Sequence, residues 1–255
     1  MNIEVGAPRQ GDTKALRALW KEAFGDSDDF LDLFERTAYS SDRARALFCD
    51  GELSAALYWF DCECEGEKIA YLYAIATAKS QRGRGLCRAL MEDTHAHLQE
   101  LGYAAAILVP SEASLFGFYE KLGYKVATNV TEFSCHAADE PIELVRIGAE
   151  EYAMLRREML PIGGIVQEKE NLTYLAAQAE LYRGENFLLA ARSEEQRVVG
   201  IELLGDTNAA PRIVNALGKE QGSFRTVGSN RDFSMITPLN TKKEPIPTYF
   251  GLAFD

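Results

Sequence analysis

Two glycines separated by a single arginine, in the run Ser80-Gln-Arg82-Gly83-Arg84-Gly85-Leu86-Cys87-Arg88, join a strand-like stretch to the strongest amphipathic helix pattern in the chain. The stretch before them, Lys68 to Thr77, is rich in Tyr, Ile and Leu. After them, Cys87, Leu90, Met91, Thr94, Leu98 and Leu101 fall on one helical stripe that Gly102 terminates, and Ala105 to Val109 reads as a buried strand. Glycine removes the side chain where a backbone must approach something closely. The first N–H groups of the helix have no internal partner, and with the macrodipole they form an anion site. Lys79, Arg82, Arg84 and Arg88 add positive charge with no acid among them. The pattern suits a pyrophosphate cradle, and a plain tight turn equally. Its spacing is neither the Walker pattern nor the dinucleotide fingerprint.

Around this segment, Ile3 to Ala7 reads as a strand. Asp12 or Thr13 caps a helix with Leu16, Leu19, Trp20 and Phe24 inward, and a second helix spans Asp28 to Tyr39. Ala46 to Cys49 and Ser54 to Cys62 form a hairpin about Asp50-Gly51-Glu52. Ser111 caps a helix carrying Leu115, Phe118, Tyr119 and Leu122, closed by Gly123, and Lys125 to Cys135 is a further strand. A polar connector, His136 to Pro141, follows. The order then recurs: strand Ile142 to Ile147, helices Ala149 to Leu160 and Lys169 to Arg183, hairpin Phe187 to Arg192 and Arg197 to Leu204. This is a weak internal repeat. Beyond it the halves diverge, into a short helix near Pro211, strands Ser223 to Val227, Phe233 to Pro238 and Thr248 to Phe254, and a loop Asn240 to Pro247. The pattern predicts two domains, 1–137 and 138–255. Only the first carries the glycine motif; Gly222-Ser-Phe and Val227-Gly-Ser lack clustered cations.

The 255 residues carry 27 Lys plus Arg against 39 Asp plus Glu, a formal charge of −12. That balance argues against nucleic-acid and anionic-membrane partners and mildly favours a cationic amine. The N-terminus has no secretory pattern and no stretch is long enough to span a membrane. Five cysteines, an odd number in a long chain, do not make a disulfide framework, so the expected location is cytoplasmic. Cys62-Glu-Cys64 is not zinc spacing; both read as strand residues, and no metal is expected.

Arg82-Gly-Arg-Gly85-Leu-Cys87 resembles the acetyl-coenzyme A signature of the GNAT N-acetyltransferase superfamily, placed between strand and helix as that signature requires. Leu115-Phe-Gly-Phe-Tyr119-Glu-Lys-Leu-Gly123-Tyr124 resembles its second motif, at the usual separation. The tandem layout and Val109-Pro110-Ser111 are similar to the enhanced-intracellular-survival acetyltransferases, although the chain is too short for their third domain. The resemblance implies an α/β GNAT fold, a central mixed sheet flanked by helices, followed by a degenerate GNAT-like lobe without cofactor. It implies an acetyl-CoA-dependent N-acetyltransferase that transfers acetyl to a primary amine by direct attack in a ternary complex. The implied cofactor-binding residues are Ile75, Ala76 and Thr77 at the end of a splayed strand, and Arg82, Gly83, Arg84, Gly85, Leu86, Cys87 and Arg88 around the pyrophosphate. Tyr119 is implied as the acid that protonates the departing thiolate. Two positions depart from the family: Cys87 replaces a small residue, and Glu112 stands where an Asn is common.

The chemistry adds a demand of its own. An amine of pKa about 10.4 is neutral in only about one molecule in 2,500 at pH 7, worth roughly 4.6 kcal/mol of barrier. A base or a desolvating pocket must recover part of this. The resemblance puts Asp61, Glu63 and Glu65 near where the family's acceptors enter, but they also suit a solvated hairpin end. Asp26, Asp28, Asp29 and Asp32 suit both a cationic acceptor and a helix N-terminus. His95 and His97 read as exposed mid-helix residues, and the resemblance to the enhanced-intracellular-survival proteins adds the terminal carboxylate at Asp255 as a further option. The competing functional reading is a non-catalytic acyl-CoA-binding sensor or scaffold. The cleft is expected beside Tyr58, Tyr73 and Tyr119. Exposed sheet edges could pair two copies as a homodimer.

Overall fold

The computed structural model describes residues 2–240 and 245–254. In chain order the first half holds β1 (Ile3–Gly6), α1 (Thr13–Phe24), α2 (Asp28–Thr37), β2 (Ala44–Cys49), β3 (Glu52–Cys64), β4 (Glu67–Thr77), α3 (Leu86–Glu100), β5 (Ala105–Leu108), α4 (Phe116–Glu120) and β6 (Lys125–His136). The second half holds β7 (Val145–Arg146), α5 (Ala149–Met159), β8 (Val166–Gln167), α6 (Glu170–Ala176), β9 (Glu180–Arg183), β10 (Phe187–Ser193), β11 (Arg197–Gly205), α7 (Ala210–Ala216), β12 (Gln221–Val227) and β13 (Arg231–Pro238).

The described strands form one mixed sheet in the order β1-β2-β3-β4-β5-β13-β6-β12-β11-β10-β9-β7, with β8 against β3. The period of two along β3 builds its two faces. Leu57 and Trp59 join Leu86, Leu90, Met91 and Leu98 of α3 in one cluster. Tyr58, Phe60, Cys62 and Cys64 join Trp20, Phe34, Leu172 and Tyr174 in another. α3 therefore covers one face of the first half, and α1, α2 and α6 cover the opposite face.

The repeat runs further than the hairpins. β4 pairs parallel with β5 in the first half, and β11 pairs parallel with β12 in the second. The next strand in each half is exchanged: β13 lies between β5 and β6, while β6 lies between β13 and β12. Each half thus completes its sheet with a strand from the other. Thr128 and Ser234 join hydroxyls at 2.6 Å, buried between the two exchanged strands.

Three predicted elements differ. The helix over Lys169–Arg183 ends at Ala176, because Glu180–Arg183 is drawn into the sheet beside β10. The strand over Ile142–Ile147 is reduced to Val145–Arg146. Thr248–Phe254 makes only an isolated bridge, Tyr249 to Gly164. With the sheet edges beside it already paired, this apolar segment packs between the halves instead, Phe250 on Tyr71 and Phe254 on Phe60 with ring centroids 4.9 and 4.8 Å apart. A buried ion pair anchors that region. Arg156 donates from Nε and Nη2 to Glu202 at 2.7 and 3.0 Å, and Tyr152 donates to the same carboxylate at 2.9 Å. Among the described residues, no helix is long and apolar enough to cross a membrane.

Candidate active site

β4 creates the opening. Its ladder with β5 stops at Tyr71↔Ile107. Just beyond, two β4 residues, Ala74 and Ile75, oppose the single Leu57 between the pairs Tyr58↔Tyr73 and Ala56↔Ala76. Ala74 has φ +49°, which a non-glycine residue rarely adopts. This bulge bends β4 away from β5, as an extra residue on one strand does. A cavity of about 940 Å³ fills the resulting wedge.

The arginine–glycine bend forms one wall. Gly83 and Gly85 take φ +73° and +79°, and Gly85 is the N-cap of the fifteen-residue α3. A Cβ built on either meets no protein atom within 4 Å, so both glycines face open space. The first turn of α3 carries no acid. Arg82, Arg88 and Lys121 line the cavity, with Arg82 Nε donating to the Thr77 carbonyl at 3.1 Å and Arg88 Nη2 to the Lys121 carbonyl at 2.9 Å. The residues therefore fit a diphosphate: bare glycines, unpaired helix amides and side-chain cations converge on one space.

Of the predicted contacts, Ile75, Ala76, Thr77, Arg82, Gly83, Gly85, Leu86, Cys87 and Arg88 line the cavity. Arg84 does not; its guanidinium turns to Gln81 Oε1 and to Cys49 Sγ. Tyr119 lines the cavity and is 8% exposed, its ring edge-on to Tyr124 at 5.9 Å. Burial raises its hydroxyl well above the ordinary tyrosine range and pushes the Cys87 thiol up to about 11. Both are protonated at neutral pH. Glu112 also lines the cavity, and Ser114 Oγ donates to its carboxylate at 2.7 Å.

The base candidates fare differently. Asp61 accepts from Tyr103 Oη, and its backbone N–H donates to Glu170 of α6 at 3.0 Å. Neither Asp61 nor Glu63 nor Glu65 lines the cavity, because the second half covers that end of β3. Asp28 and Asp32 pair with Arg17 on the surface at 3.0 and 2.7 Å. Asp26 does line the cavity, its carboxylate accepting from Trp20 Nε1 at 2.7 Å. The histidines are half-buried rather than exposed, because their stretch of α3 packs on the sheet. His95 Nε2 lies 2.7 Å from Tyr124 Oη, and burial holds its pKa down at about 4. His97 packs edge-on to Trp59. Tyr58 is buried under Trp20 and Phe34 rather than beside the cleft, whereas Tyr73 lines it. Asp255 lies outside the described residues; Phe254 lines the cavity. Among the described residues, no group of His, Cys, Asp or Glu forms a metal-ligand cluster, and Cys62 and Cys64 are buried in β3.

Sequence reading missed the walls supplied by the second half: Gln178 after α6, Arg192 on β10, and Phe254. Nothing local in the sequence brings them to β4. The matching place in the second half holds no such site. Gly205 precedes α7, but a Cβ there would lie 2.2 Å from the Asn186 carbonyl oxygen and 2.7 Å from Met159 Cε. The loop carries Asp206, and α7 opens with Pro211 and Arg212, the latter 3.9 Å from the Asp206 carboxylate.

Residues 4–127 match the family model of an acetyltransferase (GNAT) domain. Several solved structures share the fold across the whole chain. A GCN5-related N-acetyltransferase from Kribbella flavida is 17% identical, with a TM-score of 0.72 over 93% of this chain and 72% of that one. Eis1 from Mycobacterium abscessus is 14% identical, with 0.65 over 93% and 74%. A tandem GNAT protein from the clavulanic acid biosynthesis pathway is 10% identical, with 0.62 over 95% and 100%. No curated protein matches the sequence. Residues 4–127 thus match a GNAT acetyltransferase domain, and the chain shares the fold of these GNAT structures, a tandem GNAT protein among them.

Proposed function

We propose that the protein is an acetyl-CoA-dependent N-acetyltransferase that acetylates a primary amine by direct attack within a ternary complex. The observation that carries this reading is a single cavity lined by the bulged end of β4, the glycine bend at the head of α3 and Tyr119. Bound acetyl-CoA supplies an activated acetyl thioester. The amides from Gly83 to Arg88, with the Arg82 and Arg88 side chains, hold its diphosphate, and the β4 backbone at Ile75 and Thr77 pairs with its pantetheine arm. The cavity walls exclude water around the incoming amine. As the amine nitrogen bonds to the carbonyl carbon and the carbon–sulfur bond breaks, the proton the amine sheds passes to solvent at the cavity mouth, and Tyr119 donates its proton to the leaving sulfur and regains one from solvent. Burial keeps the Tyr119 hydroxyl protonated at neutral pH, so it holds a proton to offer the departing thiolate. The chemistry calls for no metal.

The second half acts as a cofactor-free lobe that walls the acceptor side, with the boundary between the two units at 137/138, just after β6. The setting is cytoplasmic, in keeping with five free thiols. The edge strands β1 and β7 are where two copies would pair.

One observation favours a sensor instead: no histidine lines the cavity among the described residues, and Asp26 is engaged by Trp20. Coenzyme A release with a panel of amines separates the two readings. Turnover that falls about 10²- to 10⁴-fold in Tyr119→Phe, with unchanged acetyl-CoA affinity, supports catalysis. Tight binding with no turnover on any amine supports the sensor.

A further inference from the structure

One buried polar pair stands apart from the cavity. Tyr124 follows Gly123, which closes the tyrosine helix, and it is 3% exposed. A hydroxyl so buried needs a hydrogen-bond partner. Its oxygen lies 2.7 Å from Nε2 of His95, in the middle of α3, with the two rings 5.6 Å apart by centroids. Burial keeps this imidazole neutral, and a neutral imidazole bonds the hydroxyl from either tautomer. Neither residue lines the cavity. A phenylalanine at position 124 would fill the same space with no hydroxyl to satisfy, so packing alone does not account for the pair.

Tyr124 is coupled to Tyr119 through both backbone and ring. Its N–H donates to the Tyr119 carbonyl at 3.1 Å, and its ring meets the Tyr119 ring edge-on at 5.9 Å. Both rings belong to the cluster that holds Leu86, Leu90 and Met91 of α3. α4 spans only Phe116–Glu120, and so short a helix does not hold its own geometry in water. The direction of the Tyr119 side chain is therefore set by what α4 and the turn after it pack on. Arg88 Nη2 ties that turn to α3 through the Lys121 carbonyl at 2.9 Å, but the Arg88 side chain is 50% exposed and its Nη1 lies 3.7 Å from Glu92. The His95–Tyr124 contact sits on the buried side, where an unmade bond costs more.

Resting on the acid role proposed for Tyr119, we infer that His95 is a positioning residue for acyl transfer: through the Tyr124 hydroxyl it fixes the Tyr119 ring against α3. The head of that same helix is where the diphosphate is held, so one rigid element sets both the carrier and the acid. Proton transfer depends on such placement, since a shift of about 1 Å can cost about 10²-fold in rate. The role does not call for His95 to exchange a proton.

The test is a double-variant cycle on coenzyme A release from acetyl-CoA, with phenethylamine, spermidine and L-lysine as acceptors. In the wild-type background, Tyr124→Phe and His95→Leu should each lower kcat about tenfold or more, with KM for acetyl-CoA and its calorimetric affinity unchanged. His95→Gln, which can still bond the hydroxyl, should recover most of that loss. In the Tyr119→Phe background the same changes should cost less than about twofold, because the group they position has lost its proton to give. Melting temperatures report whether each variant is folded. A loss of equal size in both backgrounds, or one matched by a loss of acetyl-CoA affinity, assigns the pair to stability alone and overturns the inference. Wild-type kcat in Tyr124→Phe overturns it too, and leaves the acid role of Tyr119 standing. Full turnover in Tyr119→Phe removes the acid role and this inference with it. The chain labelled with 3-fluorotyrosine gives a second measurement that needs no acceptor. The Tyr119 fluorine signal, assigned by its loss in Tyr119→Phe, should be sharp in the wild type and broadened or split in Tyr124→Phe and His95→Leu. An unchanged line overturns the inference whether or not any amine is acetylated.

Discussion

Replacing Gly85 by alanine separates the backbone's demand for glycine from the ligand's. Gly85 sits at φ +79°, where an L-residue costs roughly 1–2 kcal/mol, and its added Cβ meets no protein atom. The strain alone should lower the melting temperature by about 2–8 °C for a chain of this size. The methyl group also projects into the space assigned to the diphosphate. At acetyl-CoA one hundred times the wild-type dissociation constant, binding stabilises the native chain by about 2.7 kcal/mol. A hundredfold loss of affinity cuts that gain to about 0.4 kcal/mol by the same relation. Gly102→Ala is the matched control: it lies just past the far end of α3, at φ +82° with open space around a Cβ, and does not line the cavity. Melting curves with and without acetyl-CoA should show both variants equally weakened alone, and only Gly102→Ala rescued by the ligand. A Gly85→Ala variant that keeps the full ligand shift, or a Gly102→Ala variant that loses it, would refute the reasoning.

Three further outcomes follow from the same geometry. Glu202→Leu strands the Arg156 guanidinium in the interior and should cost about 3–5 kcal/mol, read from urea denaturation; the double variant Arg156→Met/Glu202→Leu should recover most of the loss. His95 has a folded pKa near 4, below its unfolded value, so the unfolded chain binds the extra proton first. Stability should therefore fall as pH drops below about 6.5 and level off near 4, and His95→Gln should flatten that part of the profile. Tyr119→Phe should slow coenzyme A release about 10²- to 10⁴-fold without changing acetyl-CoA affinity, as stopped-flow thiol detection and calorimetry would show together.

The legible parts of this protein are the local ones. The glycine bend, the α3 stripe and the tyrosine helix announce themselves within twenty residues, because positive φ, capping and helical period are set by neighbours in sequence. The bulge at Ala74 left no mark, since nothing distinguishes an alanine that a twisted strand forces to φ +49°. The exchange of β6 and β13 was equally hidden, as register across a hundred residues is decided by which strand edges stay open. Glu180–Arg183 shows the same override: helical by period, it becomes β9 because β10 offers an edge. Arg192 and Gln178 look like ordinary surface residues until the second half folds over α1 and α2. The second-half walls of the cavity therefore needed the tertiary structure, whereas the glycine motif did not.

The central claim is that main-chain amides at one arginine–glycine bend hold a diphosphate. Calorimetric titration of acetyl-CoA into the wild-type chain and into Gly85→Glu tests it most directly. One saturable site per chain in the wild type, and no heat in the variant at an unchanged fold, is the result expected. A silent wild type, two sites per chain, or a Gly85→Glu chain that binds as well as the parent would contradict it.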